Sequence, residues 1–351
     1  MGADALPRAV PKMNQRILVI GPSWVGDTVL SQPLLQLLKQ QHPDAEIDYL
    51  APPWTLPLLA RMPEVRQGIT NPFGHGALQL GARRRLGLTL RSHAYDHALV
   101  LPNSFKSALI PWFAGIPQRS GFRGEARWGL INDLRTLNEQ KLPQMAQRFA
   151  ALALIPGNAL PAQLPQPALQ SSAEQQQRLL ARLGLPLDKP VIAFCPGAEY
   201  GPAKRWPEAH FAALARLLTN RGCAVWLVGS PKDHAVAETI VQASAGTALN
   251  LCGKTDIAEA ADLLAAARLV VTNDSGLMHI AAAVGRPVIA LYGSSSPQFT
   301  PPLSDHARII TLNLACSPCF QRTCPLGHFK CLNDLTPERV FAAIDFARIG
   351  A

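Results

Sequence analysis

A chain of 351 residues, 48% hydrophobic and only 16% charged, is long and apolar enough for two packed cores and too weakly charged for a disordered chain. No apolar run reaches the ~20 residues of a membrane span, and Met1 to Gln15 lacks the apolar stretch and cleavage pattern of an export signal. The expectation is a cytoplasmic protein whose seven cysteines are thiols or metal ligands, not a disulfide framework. The net charge of +9 is lopsided, +7 in the first 165 residues and +2 in the rest, and densest between Arg83 and Arg148. Such a face suits nucleic acid, an acidic membrane surface or a phosphorylated or acidic glycan; otherwise it is simply solvated. The basic stretch matches no recognised nucleic-acid module, so a nucleic-acid partner is not expected.

In chain order, Arg16 to Gly21 (RILVIG) reads as a buried strand and Thr28 to Gln41 as one amphipathic helix ending at His42-Pro43. A strand over Glu46 to Leu50, an Arg-rich helix from about Ala77 to Ser92, a strand at His97 to Leu101 and a helix from Ser104 to Ala114 follow. Four prolines between Pro156 and Pro167, with no periodicity, mark a linker at about 156–170. The alternation then restarts: helix Ala173 to Leu183, strand Val191 to Cys195, helix Pro207 to Asn220, strand Ala224 to Val228, and helices His234 to Ala243 and Ile257 to Ala267. Thr336 caps a last helix that begins at Pro337. The expected fold is α/β: a tail (1–15), then two Rossmann-like domains (16–165 and 166–351) with mostly parallel sheets facing across a cleft.

Leu269 to Gly293 holds strand, turn, helix and strand in 25 residues. Its helix starts just past the end of a strand, so free N–H groups and the positive dipole end can receive an anion; an ordinary crossover is the alternative. Gly21-Pro-Ser-Trp-Val-Gly26 spaces its glycines like a P-loop, but Asp27 stands where a nucleotide cradle needs Lys. Asp27 is therefore either a first-turn acid of its helix or a base that takes a proton from a hydroxyl. The loop Cys195 to Pro207 carries Lys204 and Arg205 on the same carboxyl edge, placed to hold a departing diphosphate. Asp233, in the loop after the next strand, stands where a nucleotide site keeps its ribose-binding acid. Ser275 and His279 share one helix face, although a His among Met278, Ile280 and Ala281 is commonly just packed. Cys316, Cys319, Cys324 and Cys331 run C-x2-C-x4-C-x6-C around His328, which suits either a structural zinc or clustered free thiols.

Four blocks, GPSWVGDTVLSQPLL, LPNSFKSALIPWFAGIPQRSGFRGEARWGLIND, CPGAEYGPAKRWP and NDSGLMHIAAAVGRPVIALYG, together resemble the heptosyltransferases of glycosyltransferase family 9 from about Arg16 to Thr300. The second block resembles the members that extend an existing heptose more than those that add the first. The resemblance implies a GT-B fold, inverting transfer of L-glycero-D-manno-heptose from ADP-heptose to a heptosyl-Kdo2-lipid A acceptor, no cofactor for catalysis, and work in the cytoplasm against the inner membrane surface. By position it places the general base on Asp27, the phosphate-binding lysine on Lys204, and the donor motif on Asp274, Ser275, Gly276 and His279. The acid that recognises the nucleoside falls on or within two residues of Asp233. Lys106, Arg119 and Arg123 are then expected to meet the phosphates and acidic sugars of the acceptor. A related member with another sugar donor or acceptor is the alternative, and a non-catalytic basic protein that binds a nucleotide or nucleic acid ranks below it. The cysteine segment lies outside the matching blocks.

Overall fold

The computed structural model describes residues 15–74 and 76–350; apart from Gln15, the tail expected before Arg16 lies outside them. Among these residues the chain forms two six-stranded sheets. The first holds β1 (Arg16–Ile20), β2 (Glu46–Ala51), β3 (Gln67–Thr70), β4 (His97–Val100), β5 (Gln118–Phe122) and β6 (Asp133–Arg135). The second holds β7 (Val191–Cys195), β8 (Ala224–Leu227), β9 (Ala248–Asn250), β10 (Leu269–Asn273), β11 (Val288–Leu291) and β12 (Ala307–Ile310). Their orders, β3-β2-β1-β4-β5-β6 and β12-β11-β10-β7-β8-β9, are the same doubly wound arrangement, and every ladder is parallel. In such a sheet ligands bind at the carboxyl ends of the strands where the winding reverses. Those points are the β1/β4 and β7/β10 crevices.

The central strands are buried on both faces, as parallel strands under helices must be. Along β1, Ile17 and Val19 enter one core and Leu18 and Ile20 another. The first of these cores runs on into the second sheet through Ala193, Val270 and Ala290, so the two halves share apolar packing. The second sheet's far face packs against Trp206, Phe211, Leu335 and Val340, which brings in the helix Pro337–Phe341 capped by Thr336.

One expected element divides. The helix read as Thr28 to Gln41 is two helices, Val25–Leu30 and Gln32–Gln41, meeting at Ser31. Pro33 has no N–H to give and its ring displaces the carbonyl a turn earlier. Ser31 secures the joint by donating to the Thr28 carbonyl (2.7 Å) and bonding the Tyr49 hydroxyl (2.8 Å). The break sets Asp27 in a short helix of its own after β1.

Two glycines allow the halves to touch at that point. A Cβ on Gly26 would lie 2.9 Å from His279 Cδ2, and one on Gly276 2.9 Å from Val25 Cβ. The helices Val25–Leu30 and Gly276–Ala283, one from each half, therefore meet backbone to backbone.

Candidate active site

Lys204, in the loop after β7, and Asp274, just past β10, flank the second sheet's crevice and form an ion pair, Nζ to Oδ2 2.6 Å. Asp274 is 5% exposed and Lys204 19%. The ammonium also stands 5.2 Å from the centre of the Tyr200 ring, a placement that adds cation–π attraction.

From the first half, Asp27 enters the same electrostatic neighbourhood. Burial raises its pKa from 3.8 to about 6, Lys204 opposes the rise, and Asp274 adds to it. A carboxyl tuned toward neutrality is suited to take a proton near pH 7. His279 is buried against Gly26, and burial takes its pKa down to about 4, so the ring is neutral at physiological pH. Its Nδ1 is buried with no hydrogen-bond partner. Ser275 begins the helix Gly276–Ala283, but its hydroxyl does not cap it, which leaves the first N–H groups of that helix to a ligand.

Asp27, Lys204, Asp274, Ser275, Gly276 and His279, picked out from separate stretches of sequence, thus come together. Asp233 follows β8 on the same edge and lies against Gly197 and Gly229, where any Cβ would strike its carboxylate. Its Oδ2 accepts from Ser230 N (2.9 Å) and Ser230 Oγ (2.8 Å), so it also closes its own turn.

The basic residues of the first half divide into two kinds. Arg119 donates to the carbonyls of Leu130 (2.6 Å) and Ile116 (2.5 Å), and the buried Arg127 donates to those of Pro102 (2.6 Å) and Phe122 and to Asn103 Oδ1 (3.1 Å). Both tie loops. Lys106 follows β4 at the first sheet's crevice, and Arg123 follows β5 and is exposed. Arg127 joins these two loops, and Gly124 lies so close to Asn103 that no Cβ fits between them.

Sequence reasoning missed Asn273 as more than a turn residue. Fully buried, it accepts from Trp206 N (3.0 Å) and donates to the Pro196 carbonyl (2.7 Å), clamping both ends of the Lys204 loop to β10. The signal available was a polar residue closing an apolar strand. Ser294 and Ser295, just past β11, bury hydroxyls with no partner; the serine run after Gly293 was their sign.

Two Rossmann-type sheets with a paired lysine, a tuned carboxylate and a free helix end between them describe a GT-B glycosyltransferase. The chain belongs to glycosyltransferase family 9 (heptosyltransferase), whose family model matches residues 83–330. It is 51% identical to lipopolysaccharide heptosyltransferase 2 of Salmonella typhimurium over 334 residues, 93% of this chain and 96% of that protein. It is 54% identical to lipooligosaccharide heptosyltransferase 2 of Haemophilus influenzae over 309 residues, 84% of this chain and 88% of the relative. The fold matches the solved structure of E. coli ADP-heptose LPS heptosyltransferase II at a TM-score of 0.86, with 47% identity and coverage of 95% and 98%.

Proposed function

We propose that this glycosyltransferase moves L-glycero-D-manno-heptose from ADP-heptose onto the first heptose of the lipid A–Kdo inner core, inverting the anomeric centre. The observation that carries the reading is the meeting of Asp27 from one sheet with Lys204 and Asp274 from the other. Asp27 takes the proton of the acceptor hydroxyl as that oxygen attacks the anomeric carbon. The bond to ADP breaks as the new bond forms. Charge then gathers on the diphosphate, where Lys204 and the N–H groups of Gly276–Ala283 receive it. A single inversion needs one base and one well-held leaving group, so the reaction is proposed to run with no catalytic metal or other cofactor. Asp274 orients Lys204, His279 offers the donor a neutral ring nitrogen, and Asp233 is assigned to the nucleoside.

Lys106 and Arg123 are proposed to take the acidic groups of the acceptor, with Arg119 holding the β5–β6 connection between them and the core. Contact with the cytoplasmic face of the inner membrane is supported by Trp112 and Trp128, 45% and 63% exposed on this basic half. No helix among the described residues is long and apolar enough to cross a membrane.

The test is ADP release from ADP-heptose with and without a heptosylated lipid A core. Asp27→Ala is expected to lose acceptor-dependent release by roughly two to four orders of magnitude, the range for a lost general base. Near-normal turnover would refute the assignment.

A further inference from the structure

The segment between β12 and the final helices does two things that the transfer reaction does not account for. It gathers Cys316, Cys319, Cys324 and Cys331 around one cavity of about 20 Å³, shared with Ala203, Ser294, Leu326 and Phe329. That is room for a single ion or water. It also grips the Lys204 loop. Ala203 N donates to the Arg322 carbonyl (3.0 Å), the Tyr200 hydroxyl donates to the Phe320 carbonyl (2.8 Å), and the Arg322 guanidinium stacks 4.9 Å from the Tyr200 ring centre. On its other side Phe320 N donates to the Ser294 carbonyl (2.7 Å), and Ser317 Oγ donates to that of Gly293.

We propose that Cys316, Cys319, Cys324 and Cys331 bind one zinc ion through their four sulphurs, and that the ion fixes the segment supporting the Lys204 loop. Four thiols converging from 16 residues of irregular chain are a ligand set of the structural-zinc type. Cys324 opens a tight turn in which Gly327 N donates to its carbonyl (3.1 Å), and its side chain lines the cavity with the other three thiols. This turn holds Gly327 and Phe329 at φ +69° and +48°, a conformation a Phe adopts only where its surroundings impose it. His328 stands outside the set, because its Nδ1 accepts from Lys330 N (3.0 Å). Among the described residues no three His, Cys, Asp or Glu side chains already stand in metal-holding geometry. Loading therefore turns the thiols inward about their single χ1 bonds, each losing its proton to solvent as its bond to zinc forms.

The full chain, purified without a metal-affinity resin, is expected to carry about one zinc per molecule. Cobalt exchanged into the site should give the intense visible bands of tetrahedral thiolate coordination. Cys324→Ser and Cys331→Ser should lower the zinc content, whereas Cys223→Ser, a buried thiol outside the segment, should keep it. If a loop variant fails to fold, the unaltered chain decides. Four loop thiols that react freely with Ellman's reagent after zinc is added overturn the proposal, as do disulfides among them or iron in place of zinc. The support given to Lys204 rests on the donor reading above and has its own readout: removing zinc should lower kcat several-fold and change KM for ADP-heptose less. Zinc content and the cobalt spectrum do not depend on the donor, so the two claims fail separately.

Discussion

Two buried aspartates in this molecule pair with a cation at the same distance, 2.6 Å: Asp274 with Lys204 and Asp262 with Arg61. They differ in what is left over. Arg61 also donates to the Gln170 carbonyl (3.1 Å) and to Gln175 Oε1 (2.5 Å), while the second oxygen of Asp262 accepts from Ser171 Oγ (2.6 Å). Arg61 belongs to the first half, Asp262 to a helix of the second, and Gln170 and Ser171 to the connection between them. Beside this network Gln32 exchanges two hydrogen bonds with the backbone of Ala168 (2.8 and 3.0 Å). Both Asp262 oxygens and three of the five Arg61 donors are thus engaged within the protein. Lys204, with three donors, gives one to Asp274 and rests near the Tyr200 face, keeping capacity for a ligand. A buried pair whose cation is tied to three acceptors on separate segments is a joint, and one whose ammonium has a single protein acceptor is a site.

Breaking the joint should produce the larger effect. Arg61→Met leaves Asp262 buried without its cation, and the loss of unfolding free energy is expected to be about 3–5 kcal/mol. Denaturant titration measures it, and a loss below about 1 kcal/mol would place the pair among ornamental surface bridges. The specific activity of the folded fraction should change little. Lys204→Gln inverts the pattern. The amide still donates to Asp274, so the fold holds, but kcat/KM should fall by about 10²–10³, the scale of a lost donor to developing charge. Because Lys204 holds down the pKa of Asp27, the acid limb of the pH–rate profile should also move to higher pH in this variant. A limb that stayed in place would separate Asp27 from Lys204.

Much of this was legible in residue order, and the part that was not has a common cause. The helix Ala173–Leu183 has a Ser172/Gln175 capping box and Gly184 in the left-handed region at its end, so local chemistry sets both boundaries. β1, β7 and β10 are apolar runs that end in turn residues, Gly21, Pro196 and Asn273-Asp274. Asp27, Lys204 and Asp274 each follow such a run, and the carboxyl edge collects them by topology alone. Arg61 and Asp262 are separated by 201 positions, and nothing local joins them. The fates of Arg119 and Arg127 depend on which loop carbonyls lack partners, which only the folded chain decides. β3, β6 and β9, three or four residues long, carry too few side chains for a period to show.

The contrast between site and joint also has a thermodynamic face. The folded pKa of Asp27 lies above its unfolded value, about 6 against 3.8. Below pH 3.8 both states are protonated and the shift has no effect on stability. As pH rises toward 6 the unfolded chain ionises first, and above 6 the fold bears the whole penalty, at most about 3 kcal/mol for a shift of two units. Asp27→Asn should therefore stabilise the protein above pH 6, lose that gain as pH falls toward 4, and abolish transfer. Equal stabilisation at pH 4 and pH 8 would mean that packing, not charge, was responsible.

The smallest expected effect applies the same rule to the basic half. Arg119 spends its guanidinium on carbonyls of its own loop and Arg123 is exposed, so the two should separate as joint and site do. Arg119→Ala removes donors from the Leu130 and Ile116 carbonyls, a loss of about 1–3 kcal/mol of stability. Arg123→Ala should leave stability within about 0.5 kcal/mol and raise KM for the acceptor. At two charges meeting across water the interaction is screened within about 8 Å at physiological salt. The KM ratio of Arg123→Ala to the unaltered chain should accordingly shrink as salt is raised, while that of Lys204→Gln for the donor, set in a buried pair, should hold. A ratio that ignores salt would move Arg123 out of the acceptor surface and leave Lys106, at the mouth of the first crevice, to carry it.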